Sequence, residues 1–468
     1  MYLSKYNIIF DNNSEEYPEH KVLVNFLNRK IHLIPDQLAD IVKTNNLNEI
    51  GPFNQFLIEN NYLYNSASEE QQAERAANDY YYEKLKEEGH QFFISPTYSC
   101  NLNCTYCYQD KVAMPRESEY MTYEMVDRIT QIIQEKVTVE KAHTGPPVVT
   151  LFGGEPLMAT KKGKNIVRYI LNKCRMVGLP IGVVTNGTQL DQFIDDFKGL
   201  NVVTFQITLD GPKRIHDQRR FSRQGEGTYD KTIAAIELCV EHGMPVMLKT
   251  VIDEQNIDHL PELAEFLDEK GWLDLEDEKF MIQLAEDISG FILHCMDLTE
   301  NQGYSGKVSG ADKNVKILKR VSEMAKSNAS LMKMLRPESL GVSQLYYRGE
   351  LPPPKLSTCS ASHISWTFAP DGTIFACPGG VAEHLVLGRY YPEFEINEER
   401  LDLWHSRAVD NNPECEDCAY KYICGGSCAS LAHGFDIIYC RPIHDIVQVG
   451  LDVYLPRIID RIRENGML

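Results

Sequence analysis

Between residues 91 and 288 the spacing of apolar positions switches back and forth between two periods. Short β-branched and aromatic runs, QFFISPTY (91–98), PVVTLF (147–152), IGVVT (181–185), VVTFQITL (202–209), VMLKTVI (246–252) and KFMIQLA (279–285), predict strands. Apolar residues three and four apart predict amphipathic helices between them, over 121–137, 162–178, 188–199, 228–243 and 259–271. Strands and helices that alternate in this way make an α/β unit with a parallel sheet and helical crossovers. Six repeats favour a partial, TIM-like (β/α)6 barrel over a flat doubly wound sheet.

The flanks read differently. Residues 1–70 hold two strand patterns, YNIIF (6–10) and KVLVNFL (21–27), and two short helical ones, 34–44 and 51–64. The polar stretch from 66 to 90 predicts an exposed helix, with 71–90 linking this small unit to the barrel. Residues 289–358 are partly helical and end in the stiff LPPPK segment, a bridge between domains. Residues 359–468 are rich in turns and cysteines until a final amphipathic helix over 446–466, and no internal repeat is visible.

Composition narrows the function. The 468 residues suffice for two or three domains with cores of their own, and 43% hydrophobic with 24% charged residues is ordinary for a soluble globular protein. No run of eighteen apolar residues suggests a membrane span. The opening MYLSKYNIIFDNNSEE lacks the layout of a secretory signal, so a cytoplasmic location is expected. The balance of 47 basic against 67 acidic residues, a net charge of -20, speaks against phosphate backbones as partners. A small ligand or a peptide suits it better than nucleic acid.

Thirteen cysteines change the picture most. In a reducing compartment close cysteine spacings mark metal or catalytic sites rather than disulfides. Ten fall into two groups, while Cys174, Cys239 and Cys295 stand alone and are read as small buried hydrophobes. The first group, Cys100-Asn-Leu-Asn-Cys104-Thr-Tyr-Cys107, follows the first barrel strand. Iron–sulfur clusters usually take four cysteines, so three thiolates on a short loop leave one iron of a 4Fe–4S cluster open to another ligand. The competing reading is an incomplete zinc site, although structural zinc prefers four protein ligands.

This cysteine motif, with aromatic Tyr106 beside the third cysteine, resembles the signature of the radical S-adenosylmethionine superfamily. Gly153-Gly154-Glu155-Pro156 closes the second strand and is similar to the family's GGEP motif, which binds the amino group of the cofactor. Glycines allow close backbone approach, and a carboxylate pairs with an ammonium. Thr185-Asn186-Gly187 ends the third strand and LDGPKRIHDQRR, residues 209–220, ends the fourth. By the same resemblance Tyr106 approaches the adenine, Asn186 lies beside the cofactor and Arg220 contacts its carboxylate. A turn asparagine and a surface arginine are the plain alternatives. All four motifs fall at C-terminal strand ends, where α/β barrels carry their active sites. Asp210 and His216 sit in the fourth motif and could move protons, but an Asp before Gly-Pro is more often a turn former, and neither receives a role.

The second group runs Cys359-x12-Gly372-x4-Cys377 and then Cys415-x2-Cys418-x5-Cys424-x3-Cys428, ending at Cys440. Seven cysteines exceed one metal site, and His433 is poorly spaced for a zinc ribbon. The arrangement resembles the SPASM domain of peptide and sulfatase maturases. That resemblance implies Cys415, Cys418, Cys424 and Cys440 around an outer auxiliary 4Fe–4S cluster, and Cys359, Cys377 and Cys428 around an inner one. The inner set is one protein ligand short, since 364–375 contains no cysteine. An open iron there suits a substrate thiolate; a non-cysteine ligand or water is the other possibility.

The resemblance implies three clusters, S-adenosylmethionine, a precursor peptide with a leader, and an electron donor such as flavodoxin or ferredoxin. The implied reaction is hydrogen abstraction from the peptide and closure of an intramolecular cross-link, a thioether before a carbon–carbon bond. Residues 1–70 resemble winged-helix leader-recognition elements and equally suit a packing domain. A formylglycine-forming sulfatase maturase is the alternative enzyme, and a zinc-stabilised, non-catalytic binding protein is the alternative of another class.

Overall fold

A computed structural model of the chain describes residues 1–107, 109, 120–140, 143–286, 306–309, 312–379, 385–426, 428–430 and 437–465. Cys295 and His433 lie outside the described residues. The chain opens with β1 (Tyr2–Leu3), β2 (Asn7–Phe10), β3 (His20–Asn25) and β4 (Lys30–Pro35), followed after two helices by β5 (Leu63–Tyr64). Strands β2, β3 and β4 form an antiparallel sheet, and β1 pairs with β5. The sequence pattern revealed two of these strands and missed β4. Its hairpin turns at Arg29, which takes a left-handed φ of 56° with no glycine to mark the turn. The helix expected from residue 34 therefore begins after the strand, at Asp36–Thr44. Leu23 and Ile34 from the sheet pack with Leu38, Leu57 and Tyr62 in a small core of their own.

The linking helix spans Ala67–Leu85. Six strands then lie side by side and all parallel: β6 (Gln91–Ile94), β7 (Val148–Leu151), β8 (Ile181–Thr185), β9 (Val202–Thr208), β10 (Val246–Ile252) and β11 (Phe280–Glu286). Crossover helices Tyr123–Glu135, Lys161–Val177, Tyr229–Glu241 and Leu260–Glu269 match the predicted periodicity. The helix expected over 188–199 is instead two tight helical turns, Leu190–Gln192 and Ile194–Phe197. Phe193, at φ -131°, breaks it, yet Leu190, Phe193 and Phe197 are buried as the pattern required. Cys174 and Cys239 are buried in the barrel helices as small hydrophobes.

The cysteine-rich end does not stand apart from the barrel. After a further strand β12 (Gly306–Ser309) come β13 (Ser365–Phe368), β14 (Thr373–Phe375), β15 (Val386–Arg389) and β16 (Glu395–Ile396), and later β17 (Ile437–Cys440), which pairs with β12. Strand β13 lies parallel against β6, with Ser365 opposite Gln91 and Phe368 opposite Ile94. One ten-stranded sheet thus runs from β11 through the barrel to β16. Its two ends do not pair, which leaves the barrel open. The first unit docks on the C-terminal helix Ile443–Glu464: Phe10 stacks on His444 at 4.7 Å, and the Asp11 N–H donates to Gln448 at 2.8 Å. Among the described residues no helix is long and apolar enough to cross a membrane.

Candidate active site

Strand β6 ends at Ile94, and the chain turns over the C-terminal rim of the sheet into the loop that carries Cys100, Cys104 and Cys107. The loop is fastened to its neighbours by main-chain bonds. The Gly154 N–H donates to Thr97 O at 3.1 Å, and the Glu155 N–H to Ser99 O at 2.9 Å. This contact explains the glycine pair. A Cβ on Gly154 would meet Tyr98 O at 2.2 Å, and one on Gly153, at φ +121°, would meet Thr97 O at 2.5 Å. The glycines therefore also admit the cysteine loop itself. We predict that G154A costs about 1–3 kcal/mol through overpacking and lowers iron retained by this loop, measured by denaturation and metal analysis against the parent.

A cavity of about 280 Å³ opens beneath the loop, lined by Cys100, Cys104, Tyr106, Cys107, Gly153, Gly154, Asn186 and Arg220 among others. Eight residues singled out from the sequence are therefore brought together. Glu155 is not among them. It is 2% exposed, and its carboxylate accepts from the Asn186 N–H (2.7 Å), the Thr185 hydroxyl (2.6 Å) and the Leu157 N–H (2.8 Å). Burial raises its pKa. Through these bonds Glu155 ties the end of β8 to the end of β7 and shapes the rim from behind. Asn186 faces the cavity, its amide donating to Asn101 Oδ1 at 2.9 Å.

Arg220 is 8% exposed and donates to the Tyr106 hydroxyl at 2.7 Å, so the surface-arginine alternative does not hold. Tyr106 in turn donates to Asp210 Oδ2 at 2.5 Å, and the Arg219 guanidinium lies 4.9 Å from its ring centre. Asp210, fully buried, also accepts from the Val251 N–H at 3.0 Å and from Arg219 Nε at 3.4 Å. His216 is buried as well. Its Nδ1 takes the Asp210 N–H at 3.4 Å, and its Nε2 lies 3.1 Å from Thr228 Oγ1, whose own proton goes to Arg220 O at 2.7 Å. Nε2 must therefore carry the proton and His216 is neutral, in keeping with burial that holds its pKa well below the ordinary value. Asp210 and His216, left without a role by sequence, hold Tyr106 and Arg220 against the cysteine loop.

Three further cavity residues escaped the sequence reading: Gln206 and Thr208 on β9 and Lys249 on β10. Their signal was polar side chains at period two within apolar strands, which puts them on the inner face. Lys249 has no acceptor among the described residues, and burial, with Arg220 nearby, lowers its pKa. Two cations at one wall suit a carboxylate. We expect K249M to weaken S-adenosylmethionine binding about tenfold, or about 1.4 kcal/mol, in calorimetry with the iron-loaded protein.

The donor set fits a metal cluster. Burial pushes the Cys100 thiol up to about 12, so its thiolate needs strong positive charge such as metal supplies. The Leu102 N–H already points at its sulfur, 3.4 Å away. Among the described residues no three Cys, His, Asp or Glu side chains gather tightly enough to hold a single ion.

The other seven cysteines lie outside this cavity. The charges of Cys418, Cys424 and Cys440 bear on Cys415, and that of Cys428 bears on Cys359. Backbone and amide donors again face sulfur: Gly379 N–H to Cys377 at 3.3 Å and Asn412 Nδ2 to Cys415 at 3.2 Å. Because β13 parallels β6, Cys359 before it and Cys377 after β14 stand at the N-terminal end of β6, opposite the Cys100 loop. A four-residue strand of about 13 Å separates the two ends.

The chain thus carries a radical S-adenosylmethionine domain and is an enzyme of that type. Residues 94–267 match the Radical SAM superfamily, whose chemistry uses S-adenosylmethionine and a 4Fe–4S cluster. A cysteine-type anaerobic sulfatase-maturating enzyme of Clostridium perfringens (strain 13 / Type A) is 24% identical over 351 residues, 72% of this chain and 87% of that protein. The radical SAM cyclopropyl synthase TigE of Paramaledivibacter caminithermalis is 23% identical over 345 residues, 70% of this chain and 65% of that protein. Among solved structures, anSMEcpe with bound AdoMet superposes with a TM-score of 0.57 at 18% identity, covering 80% of this chain and 99% of that one. That likeness is one of fold.

Proposed function

We propose that this enzyme modifies a ribosomally made precursor peptide and closes an intramolecular cross-link, a thioether first and a carbon–carbon bond next. The observation that carries the reading is the pair of thiol sets at opposite ends of β6, joined by one open barrel. In this reading a substrate side chain enters the barrel between the two ends.

In this reading Cys100, Cys104 and Cys107 hold the cluster, and Asn186, Arg220 and the Gly153–Gly154 edge seat S-adenosylmethionine, with Tyr106 against the adenine. When bound, this pair supplies a 5′-deoxyadenosyl radical that removes a hydrogen atom from an unactivated carbon. Arg220 and Lys249 orient the carboxylate of the cofactor, and Gln206 and Thr208 orient the substrate along β9. Cys415, Cys418, Cys424 and Cys440 hold an outer auxiliary cluster. Cys359, Cys377 and Cys428 would hold an inner one, with an iron left for a substrate thiolate; the thiol would lose its proton on binding there, and the auxiliary cluster would accept the remaining electron as the carbon radical and the sulfur join. Residues 1–70 dock the leader, and a flavodoxin or ferredoxin in the cytoplasm supplies electrons. The similarity to a sulfatase-maturating enzyme supports a peptide or protein substrate.

Formylglycine formation is the second reading, favoured by the fold shared with a structure titled anSMEcpe with bound AdoMet and Cp18Cys peptide, TM-score 0.56. The test uses short cysteine-containing peptides encoded beside the gene, with iron-loaded enzyme, S-adenosylmethionine and reductant. A product lighter by two hydrogens per link and blocked to thiol reagents supports a thioether. An aldehyde-reactive product supports formylglycine, and unmodified peptide despite formation of 5′-deoxyadenosine counts against both.

A further inference from the structure

Arg407 follows helix Glu398–His405, whose Trp404 is buried, and its N–H donates to Trp404 O at 3.2 Å. Its side chain is half-buried, and Nη2 is fully enclosed with no hydrogen-bond partner. No carboxylate pairs with it among the described residues. An enclosed, unpaired charge is costly, so this position makes sense only where negative charge is near. The segment that follows Arg407 packs on the cysteine-bearing chain: Val409 N–H donates to Leu356 O at 2.8 Å, Gly426 lies against Val409, and Asn412 Nδ2 donates to the Cys415 sulfur at 3.2 Å, so that the sulfurs of Cys415, Cys428 and Cys440 supply the charges that bear on Arg407. Two of these belong to the outer set and the third to the inner one.

We propose that Arg407 is a positioning residue shared by the two C-terminal thiol sets, its guanidinium balancing their iron–sulfur clusters and making both easier to reduce. The inference rests on the assignment of auxiliary clusters made above. Reduction adds one electron, hence one negative charge, to a cluster already made anionic by its thiolates. A fixed cation close by stabilises the reduced form and raises the potential. The orphaned Nη2 offers a hydrogen bond to cluster or cysteine sulfur, a recognised lever on potential. Lys355 and Arg441 bear on Cys424 from another side, so removing Arg407 shifts the balance without stripping the outer set of cations.

The test uses the full-length C100A/C104A/C107A variant, loaded with iron and sulfide, so that only auxiliary clusters report. Dithionite titration followed by electron paramagnetic resonance gives their midpoint potentials. With iron content unchanged, R407Q should move both auxiliary midpoints negative, at least one of them by about 59 mV or more, the one-electron equivalent of a tenfold change in equilibrium constant. R407K, which keeps the charge, should stay close to the parent. Equal midpoints in R407Q and parent would overturn the proposal. So would loss of iron from both R407Q and R407K, which would make the residue structural. A parent variant that binds no iron would refute the auxiliary clusters themselves, an outcome distinct from either.

Discussion

The C100A/C104A/C107A variant should form no 5′-deoxyadenosine and yet retain about eight irons per chain, two clusters of four. The three thiols line the cavity together with Asn186 and Arg220, while the remaining seven cysteines lie elsewhere and neighbour one another. The two kinds of site are thus separable by mutation. A loss of turnover of at least about a thousandfold is expected, because cleavage of S-adenosylmethionine has no other electron entry; about 4 kcal/mol of barrier is that factor. Metal analysis and product quantification on the anaerobically purified variant check both halves. Retained turnover, or a loss of all iron, would contradict the division.

The second large effect is on stability. D210A should cost about 3 kcal/mol, the lower end for breaking a buried ion pair. Asp210 is wholly enclosed and accepts from Tyr106, Arg219 and the Val251 N–H. Its loss leaves the Tyr106 hydroxyl and the Val251 N–H without their acceptor and two arginines close together. The cost stays at the lower end because Asp253 still accepts from Arg219 at 2.7 Å. Urea midpoints and slopes measure it. Because Tyr106 lies between Cys104 and Cys107, the same variant should lose iron from the first site in preference to the C-terminal ones, whereas D210N, which keeps the shape and an acceptor, should do so less.

What was legible in the sequence was local. The cysteine trio, the glycine pair and the polar strand ends after β8 and β9 could be found because each lies in a short segment whose place on a strand end follows from periodicity. The six parallel strands were legible for the same reason. The direction of the Glu155 carboxylate was not, since its donors come from residues 185, 186 and 157 and only the folded sheet brings the first two near. Asp210 looked like a turn former because the segment Asp-Gly-Pro hides partners on β10 and on the cysteine loop. Lys249 was missed, because a single polar residue on an apolar strand does not by itself say that it faces the cavity. The pairing of β13 with β6 joins residues far apart in the chain, and no local signal marks it, although it decides where Cys359 and Cys377 stand relative to Cys100. Strand β4 was hidden by a turn built on Arg29 instead of glycine.

The most direct measurement is electron–nuclear double resonance on the reduced enzyme with S-adenosylmethionine labelled with nitrogen-15 at the amino group and oxygen-17 at the carboxylate. A cavity that ends in three thiols and two cations should hold the amino acid end of the cofactor on the open iron, so both labels should couple to the cluster spin. An intact, reducible cluster that shows neither coupling in the presence of bound S-adenosylmethionine would contradict the account.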